Sequence, residues 1–155
     1  MLYAIIRIRG TVNVPYEVEH TLNLLRLRRK YTLVLYRKDA PGLEDMLRKA
    51  SGWITWGEIN DEVLAKLLEK RGRLPGNKRL TEDVVRQWGF QGGFAELAKR
   101  LISGEVDMRS LPMKPFMRLH PPRGGFRRST RRLYSDGGEL GYRGQAINEL
   151  ILRMI

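Results

Sequence analysis

Leu2, Ala4, Ile6 and Ile8 alternate with Tyr3, Ile5, Arg7 and Arg9. A period of two is the period of a β-strand, and this one is expected to have a single apolar face. Gly10 and Asn13 mark a turn, and Pro15 suits the first turn of a helix with the stripe Val18, Leu22, Leu25. The β-branched and aromatic run Tyr31–Tyr36 predicts a second strand. Ala40-Pro41-Gly42 opens a second helix with Leu43, Met46, Leu47 and Ala50 inward, and Gly52 closes it. Trp53-Ile54-Thr55-Trp56 reads as a third strand. Residues 2–58 therefore spell strand, helix, strand, helix, strand. Helical connections usually leave neighbouring strands parallel, unless the strand order splits. The expected product is a small sheet with two helices on one face, an α+β, ferredoxin-like core.

Residues 60–104 change to a helical period. Val63, Leu64, Leu67 and Leu68 form one stripe between Asp61 and Arg71, and Gly72 follows. Thr81 is placed to cap Glu82–Trp88, and the acidic pair Glu82 and Asp83 suits the positive end of that helix. Phe94, Leu97, Ala98 and Leu101 mark a third helix, closed by Gly104. A last short amphipathic helix, with Ile147, Leu150, Ile151 and Met154, is expected to pack back on the core. The implied units are a core at 1–59, a helical extension at 60–107, a long basic segment at 108–144 and the terminal helix at 145–155.

Charge changes the picture in the third unit. The chain has 155 residues and a formal charge of +12. Residues 1–107 carry a net of +5 and residues 108–155 a net of +7, so the last third is the more basic part. From Met108 to Ser135 there are eight cations (Arg109, Lys114, Arg118, Arg123, Arg127, Arg128, Arg131 and Arg132) and no Asp or Glu. Prolines 112, 115, 121 and 122 with Gly124 and Gly125 argue against a long helix or a regular strand there. So much unopposed charge calls for a polyanion, and nucleic acid is the densest one in a cell. Seven of the eight are Arg, which forks onto phosphate and stacks on bases, as folded RNA requires. Phe116, Met117, Leu119, Phe126, Leu133 and Tyr134 put more apolar surface into the segment than a solubilising linker needs. The segment is expected to be a loop tethered at both ends.

Arg26, Arg28, Arg29 and Lys30 form a second basic cluster at the end of the first helix, where cations also favour the helix dipole. A third comprises Arg71, Arg73, Lys78 and Arg79, on a loop carrying Pro75 and Gly76. Together with Lys114, Arg118, Arg123, Arg127, Arg128, Arg131, Arg132 and Arg143, these are the expected RNA contacts. Phe126 and Tyr134 are the expected stacking side chains. Trp53 and Trp56 also have stacking faces, although strand tryptophans of this kind are usually core, as is expected of one of the two.

Catalytic chemistry is not expected. His20 and His120 stand alone, and the acidic pairs sit where helices are capped. The Gly-Gly pairs are not followed by Gly-Lys-Ser/Thr, and no nucleophile has a base beside it. The absence of Cys excludes disulfides and thiolate metal sites, so no cofactor or metal is expected. No run reaches the length of a membrane span, and a cytoplasmic protein is expected. One alternative uses the helices between Asp61 and Gly104 to hold DNA, with Arg86 or Gln87 facing a groove.

Several motifs then acquire a common meaning: Leu24-Leu25-Arg26-Leu27-Arg28, Trp56-Gly57, Lys70-Arg71-Gly72, Pro122-Arg123-Gly124-Gly125, and Gly137-Gly138-Glu139-Leu140-Gly141-Tyr142-Arg143-Gly144 followed by the closing helix. In this order they resemble the family of large-subunit ribosomal protein thirty, whose eukaryotic counterpart is protein seven, in its archaeal form. The resemblance spans nearly the whole chain. It implies a ferredoxin-like core, binding to large-subunit ribosomal RNA near the 5S RNA, neighbouring ribosomal proteins as partners, and no catalytic activity. It also implies no membrane, no small-molecule substrate and no obligate homo-oligomer.

Overall fold

A computed structural model of the protein describes residues 1–155. In chain order its elements are β1 (Leu2–Arg7), α1 (Tyr16–Leu24), β2 (Thr32–Arg37), α2 (Leu43–Ala50), β3 (Ile54–Glu58) and α3 (Asp61–Arg71). A two-stranded hairpin, β4 (Arg73–Leu74) and β5 (Lys78–Arg79), precedes α4 (Glu82–Gln87) and α5 (Phe94–Ser103). The chain ends with β6 (Phe116–Arg118), β7 (Ser129–Leu133), β8 (Gly138–Tyr142) and α6 (Ile147–Met154). The main sheet has the order β6-β2-β1-β3-β8-β7.

β1 is antiparallel to both β2 and β3, so β2 and β3 run the same way with β1 between them. The strand order is thus the split case. The cause lies after α1. Arg26 takes φ 66° and turns the chain back along the helix, where the Leu27 amide bonds the Leu22 carbonyl at 2.8 Å. Tyr31 then reaches Arg7, its amide donating to the Arg7 carbonyl at 2.7 Å, so β2 starts where β1 ends.

The first strand has two apolar faces, not the expected one; all six of its residues are buried. Leu2, Ala4, Ile6 and Ile8 pack with α3, α5 and α6 in a core of 27 buried residues, whereas Tyr3 and Ile5 pack with α1 and α2 in a core of 10. The larger core therefore lies under the helical extension. Arg7, on the smaller side and 1% exposed, donates to the carbonyls of Leu27 (2.7 Å), Arg9 (2.9 Å) and Gly10 (3.0 Å), which are otherwise hard to satisfy in that turn.

The expected irregularity of 108–135 needs correcting. Phe116–Arg118 lies between Pro115 and Pro121, and Ser129–Leu133 lies beyond the last Gly, so the breakers leave two short windows for strands. β6 pairs with the β2 edge, Leu33 opposite Met117, and β7 flanks β8 in an irregular register. Met113, Met117 and Leu119 are buried in the larger core, so the segment is held along its length and not only at its ends.

β8 closes the sheet parallel to β3, with Thr55 opposite Gly141. The turn after it crosses Gly57 so closely that a Cβ there would run into the Gly144 carbonyl. Asn148 then ties α6 to the sheet: its Oδ1 accepts from the Asn60 amide (2.9 Å), and its Nδ2 donates to the Glu58 carbonyl (3.1 Å). Gly57→Ala is expected to cost about 3 kcal/mol, because the obstacle is backbone and cannot rotate away. The guanidinium-chloride midpoint measures this; an unchanged midpoint would show that β3 and the turn are free to separate.

Candidate nucleic-acid interface

Each basic cluster owes its placement to a backbone device. α1 ends at Leu24 with no cation in its last turn, so Arg26, Arg28, Arg29 and Lys30 do not serve its dipole. They occupy the reversing loop before β2, and all four are exposed. Arg118 joins them, because β6 sets it opposite Thr32 and the Leu119 amide donates to the Tyr31 carbonyl at 2.9 Å. Phe126 adds the next segment: its ring lies 6.3 Å from that of Tyr31, tilted and half-buried against the core. The cluster at 26–30 and the long basic segment thus form one surface.

The turn Pro122–Gly125 is held from behind by α6. Arg153 donates to the carbonyls of Arg123 (3.1 Å) and Gly125, and the Arg123 amide donates to the Arg153 carbonyl at 2.9 Å. Arg153 is not among the expected contacts, and a separation of 30 positions from Arg123 leaves no local signal for its role. The third cluster stands apart. β4 and β5 raise Lys78 and Arg79 on a hairpin, and the Lys114 amide donates to the Arg73 carbonyl at 2.8 Å. Arg73 and Lys114 are half-buried at its base. Arg71 is half-buried too, with burial pressing its guanidinium below the ordinary value.

Arg143 corrects the expected list. Its side chain is 5% exposed and is directed into the β3–β8 seam. Nε donates to Thr55 Oγ1 at 2.8 Å, and Nη2 donates to Glu139 Oε1 at 3.2 Å and to the Glu139 carbonyl. Thr55 Oγ1 donates in turn to the Gly141 carbonyl at 2.8 Å. Burial lowers the Arg143 pKa from its usual value, opposed by Glu139. A guanidinium so engaged pins β8 to β3, and of its three nitrogens only Nη1 makes no bond within the protein. Tyr134, expected to stack on a base, has the guanidinium carbons of Arg128 and Arg143 at 4.8 and 5.1 Å from its ring centre. Trp53 and Trp56 are both half-buried against the smaller core, Trp53 under the Arg9 guanidinium at 4.8 Å.

The remaining cations differ from these in having no carboxylate. Of the eight between Met108 and Ser135, Arg127 alone forms an ion pair, with Glu149 at 3.4 Å on an exposed surface. Arg26, Arg28, Arg29, Lys30, Lys78, Arg79, Arg118, Arg123, Arg128, Arg131 and Arg132 are exposed and in no salt bridge. In the helical middle Arg86 pairs with Glu82 at 3.1 Å and Arg100 with Glu96, while Lys66, Lys70 and Lys99 are exposed and in no salt bridge. With only six residues, α4 offers little length to lie in a DNA groove.

A small polar cluster closes the other edge of the seam. Tyr142 Oη donates to Glu58, 2.7 and 2.9 Å from its two oxygens, and Lys38 Nζ donates to the same carboxylate at 3.2 Å. The bond to Glu58, helped by burial, pushes the Tyr142 phenol up to about 12. Burial works to raise the Glu58 pKa, but the bonds from Tyr142, the backbone and Lys38 outweigh it and hold the carboxyl below its ordinary value.

Two predictions come from these contacts. Arg143→Ala is expected to cost about 3–5 kcal/mol, because Glu139 is left buried without its partner. Arg131→Ala on the exposed strand is expected to cost no more than about 0.5 kcal/mol. Denaturant titration of the two variants separates the structural guanidinium from the free one. The Tyr142 phenol is raised above its ordinary 10.0, so its share of stability is complete below pH 10.0 and is lost as pH climbs through about 12. Glu58 is depressed, so its share is complete above its ordinary 4.5 and is lost as pH falls below that. Phenolate absorbance during alkaline titration is expected to show a late tyrosine, removed by Tyr142→Phe and brought back toward 10.0 by Glu58→Gln; a Glu58→Gln profile identical to the parent would rule out that bond as the cause.

The chain is similar to known proteins along its whole length. The family model described as ribosomal protein L30p/L7e matches residues 3–54, which is β1 through the start of β3. The large ribosomal subunit protein uL30 of Staphylothermus marinus is 57% identical, over 99% of this chain and 98% of that protein. The uL30 of Aeropyrum pernix is 56% identical over 99% of both chains, and that of Nanoarchaeum equitans is 48% identical over 99% of both.

Proposed function

The chain belongs to the uL30 family of large ribosomal subunit proteins, structural constituents of the ribosome and not enzymes, and from that premise we propose that it clamps ribosomal RNA and supports assembly of the subunit. The single observation that carries the reading is the row of unpaired cations on the long segment and on the 26–30 loop, joined into one surface through Tyr31, Arg118 and Phe126. A protein that used these Arg residues for its own stability would engage them in the fold, as it engages Arg7 with carbonyls and Arg143 with Glu139.

The mechanism is electrostatic and geometric. Phosphates lie against Arg123, Arg127, Arg128, Arg131 and Arg132 on one side and Arg26–Lys30 on the other, and each contact releases a condensed counterion. The hairpin carrying Lys78 and Arg79 reaches a separate stretch of RNA. The sheet contributes rigidity: β6 and β8 tie the basic segment to both flanks of the core, so two RNA elements touching it are held at a fixed separation. If all eight cations of the segment met phosphates, the slope of log affinity against log salt would be roughly −6 to −7. The partners in this reading are large-subunit RNA, near the 5S RNA, and adjoining ribosomal proteins.

Changing Arg127, Arg128, Arg131 and Arg132 together to Ser is expected to weaken RNA association and to flatten that slope by roughly 3, with an unaltered far-UV spectrum. Salt-series binding and sucrose-gradient sedimentation measure it. Normal incorporation of the quadruple variant into salt-washed subunits would refute the clamp.

A further inference from the structure

One face of the protein differs in character from its cationic surface. Between Arg9 and Arg26 there is no Lys or Arg, although the chain as a whole carries +12. The only charges there are Glu17 and Glu19, both exposed. Along the same stretch Val12, Tyr16, His20 and Leu24 recur every four residues. Val12 is 79%, Tyr16 82% and Leu24 58% exposed, and these are three of the six large apolar side chains exposed anywhere in the molecule. Within α1, residues 16, 20 and 24 share a stripe on the side away from the buried Thr21 and Leu22. The Tyr16 and His20 rings stack, 6.3 Å between centres with planes 11° apart. Isolated apolar residues on a surface are ordinary; here Tyr16 and Leu24 flank His20 on one side of α1, with Val12 in the turn before it.

We infer that the outer face of α1 is a docking surface for a neighbouring protein that presents a Lys/Arg-rich segment with an apolar anchor. Charge selects the occupant. Phosphates are repelled by Glu17 and Glu19 and gain nothing from Tyr16 and Leu24. A cationic segment pairs with the two carboxylates flanking the stripe while its apolar side chains cover the stripe itself. Leu24 also borders a cleft of about 930 Å³ whose lining includes Tyr36, Met46 and Met108, with Arg26, Arg37 and Arg109 at its polar parts, so it takes the apolar anchor and not the cations of the segment. The face lies on the side of the sheet opposite α3, α5 and α6, and meets the Arg26–Lys30 part of the cationic surface at its Leu24 end. This inference rests on the ribosomal reading above.

The test uses assembled subunits. A photo-reactive benzoyl-phenylalanine is placed at Tyr16, or at Leu133 within the basic strand as a comparison, and purified large subunits are irradiated. Mass spectrometry of the Tyr16 adduct is expected to find a peptide of another ribosomal protein, rich in Lys and Arg, while the Leu133 adduct is to RNA. Leu24→Lys, which removes the apolar contact at a 58%-exposed position and repels a cationic segment, is expected to cut the Tyr16 adduct about tenfold. An RNA adduct at Tyr16, an adduct to a second copy of this chain or to a neutral or acidic peptide, or none where Leu133 gives one, overturns the docking surface and leaves the ribosomal reading standing. Absence of the chain from the subunit overturns both.

Discussion

Everything else in the molecule hangs on burial of β1 from two sides. A strand with neighbours on both edges and helices on both faces has no exposed backbone and no exposed side chain, so its alternation is not apolar against polar but one core against another. Leu2, Ala4, Ile6 and Ile8 hold the larger core; Tyr3 and Ile5 hold the smaller. Strand–helix–strand–helix–strand by itself covers one face. The other would be a bare apolar sheet, and α3, α5 and α6 exist to cover it. The extension is therefore not an ornament on a self-sufficient core in this chain. Truncating at residue 59 would expose Leu2, Ala4, Ile6, Ile8, Leu33 and Leu35 together.

The same arrangement explains where charge ends up. Cations that act within the fold are few and fully engaged: Arg7 holds three carbonyls, Arg143 joins Glu139 and Thr55, and Arg153 secures the turn at Arg123. Those left over stand on segments whose backbone is tied down at Tyr31, Arg73, Met154 and Arg153. Fixing the backbone but not the charge keeps like charges apart by geometry while the field they make remains available. A flexible tail of equal charge would lose more entropy on meeting RNA. The tethered segment loses part of that freedom at folding, where apolar burial of Met113, Met117 and Leu119 offsets it.

Much of this was legible in the sequence because it is local. Thr81 accepts from the Val84 amide as an N-cap, α3 runs from Asp61 to Arg71, and Gly104 closes α5 in a left-handed conformation, all as spacing and composition predict. What escaped is pairwise and distant. The second apolar face of β1 was hidden because Arg7 reads as a polar position until Leu27, Arg9 and Gly10 supply its acceptors. Arg143 looked like its exposed neighbours in an Arg-rich region; only the β3–β8 register, 86 residues across at Thr55 and Gly141, turns it inward. Arg26–Lys30 looked like a helix end because the left-handed turn at Arg26, a residue seldom found there, cannot be read from propensity.

Two kinds of surface then follow from one topology. The chain reversal after α1 puts Arg26–Lys30 beside β6, and so fuses two clusters far apart in sequence into one cationic surface. The same reversal leaves α1 as a helix whose sequence holds no cation at all. Segregation on this scale is not required for stability, since α1 would pack its Leu22 and Leu25 equally well with Lys or Arg at 16, 20 or 24. A helix facing solvent would gain solubility from such residues, and a helix facing RNA would gain affinity. Keeping Tyr, His and Leu there forgoes both, as the proposed cover by a neighbouring protein would lead one to expect.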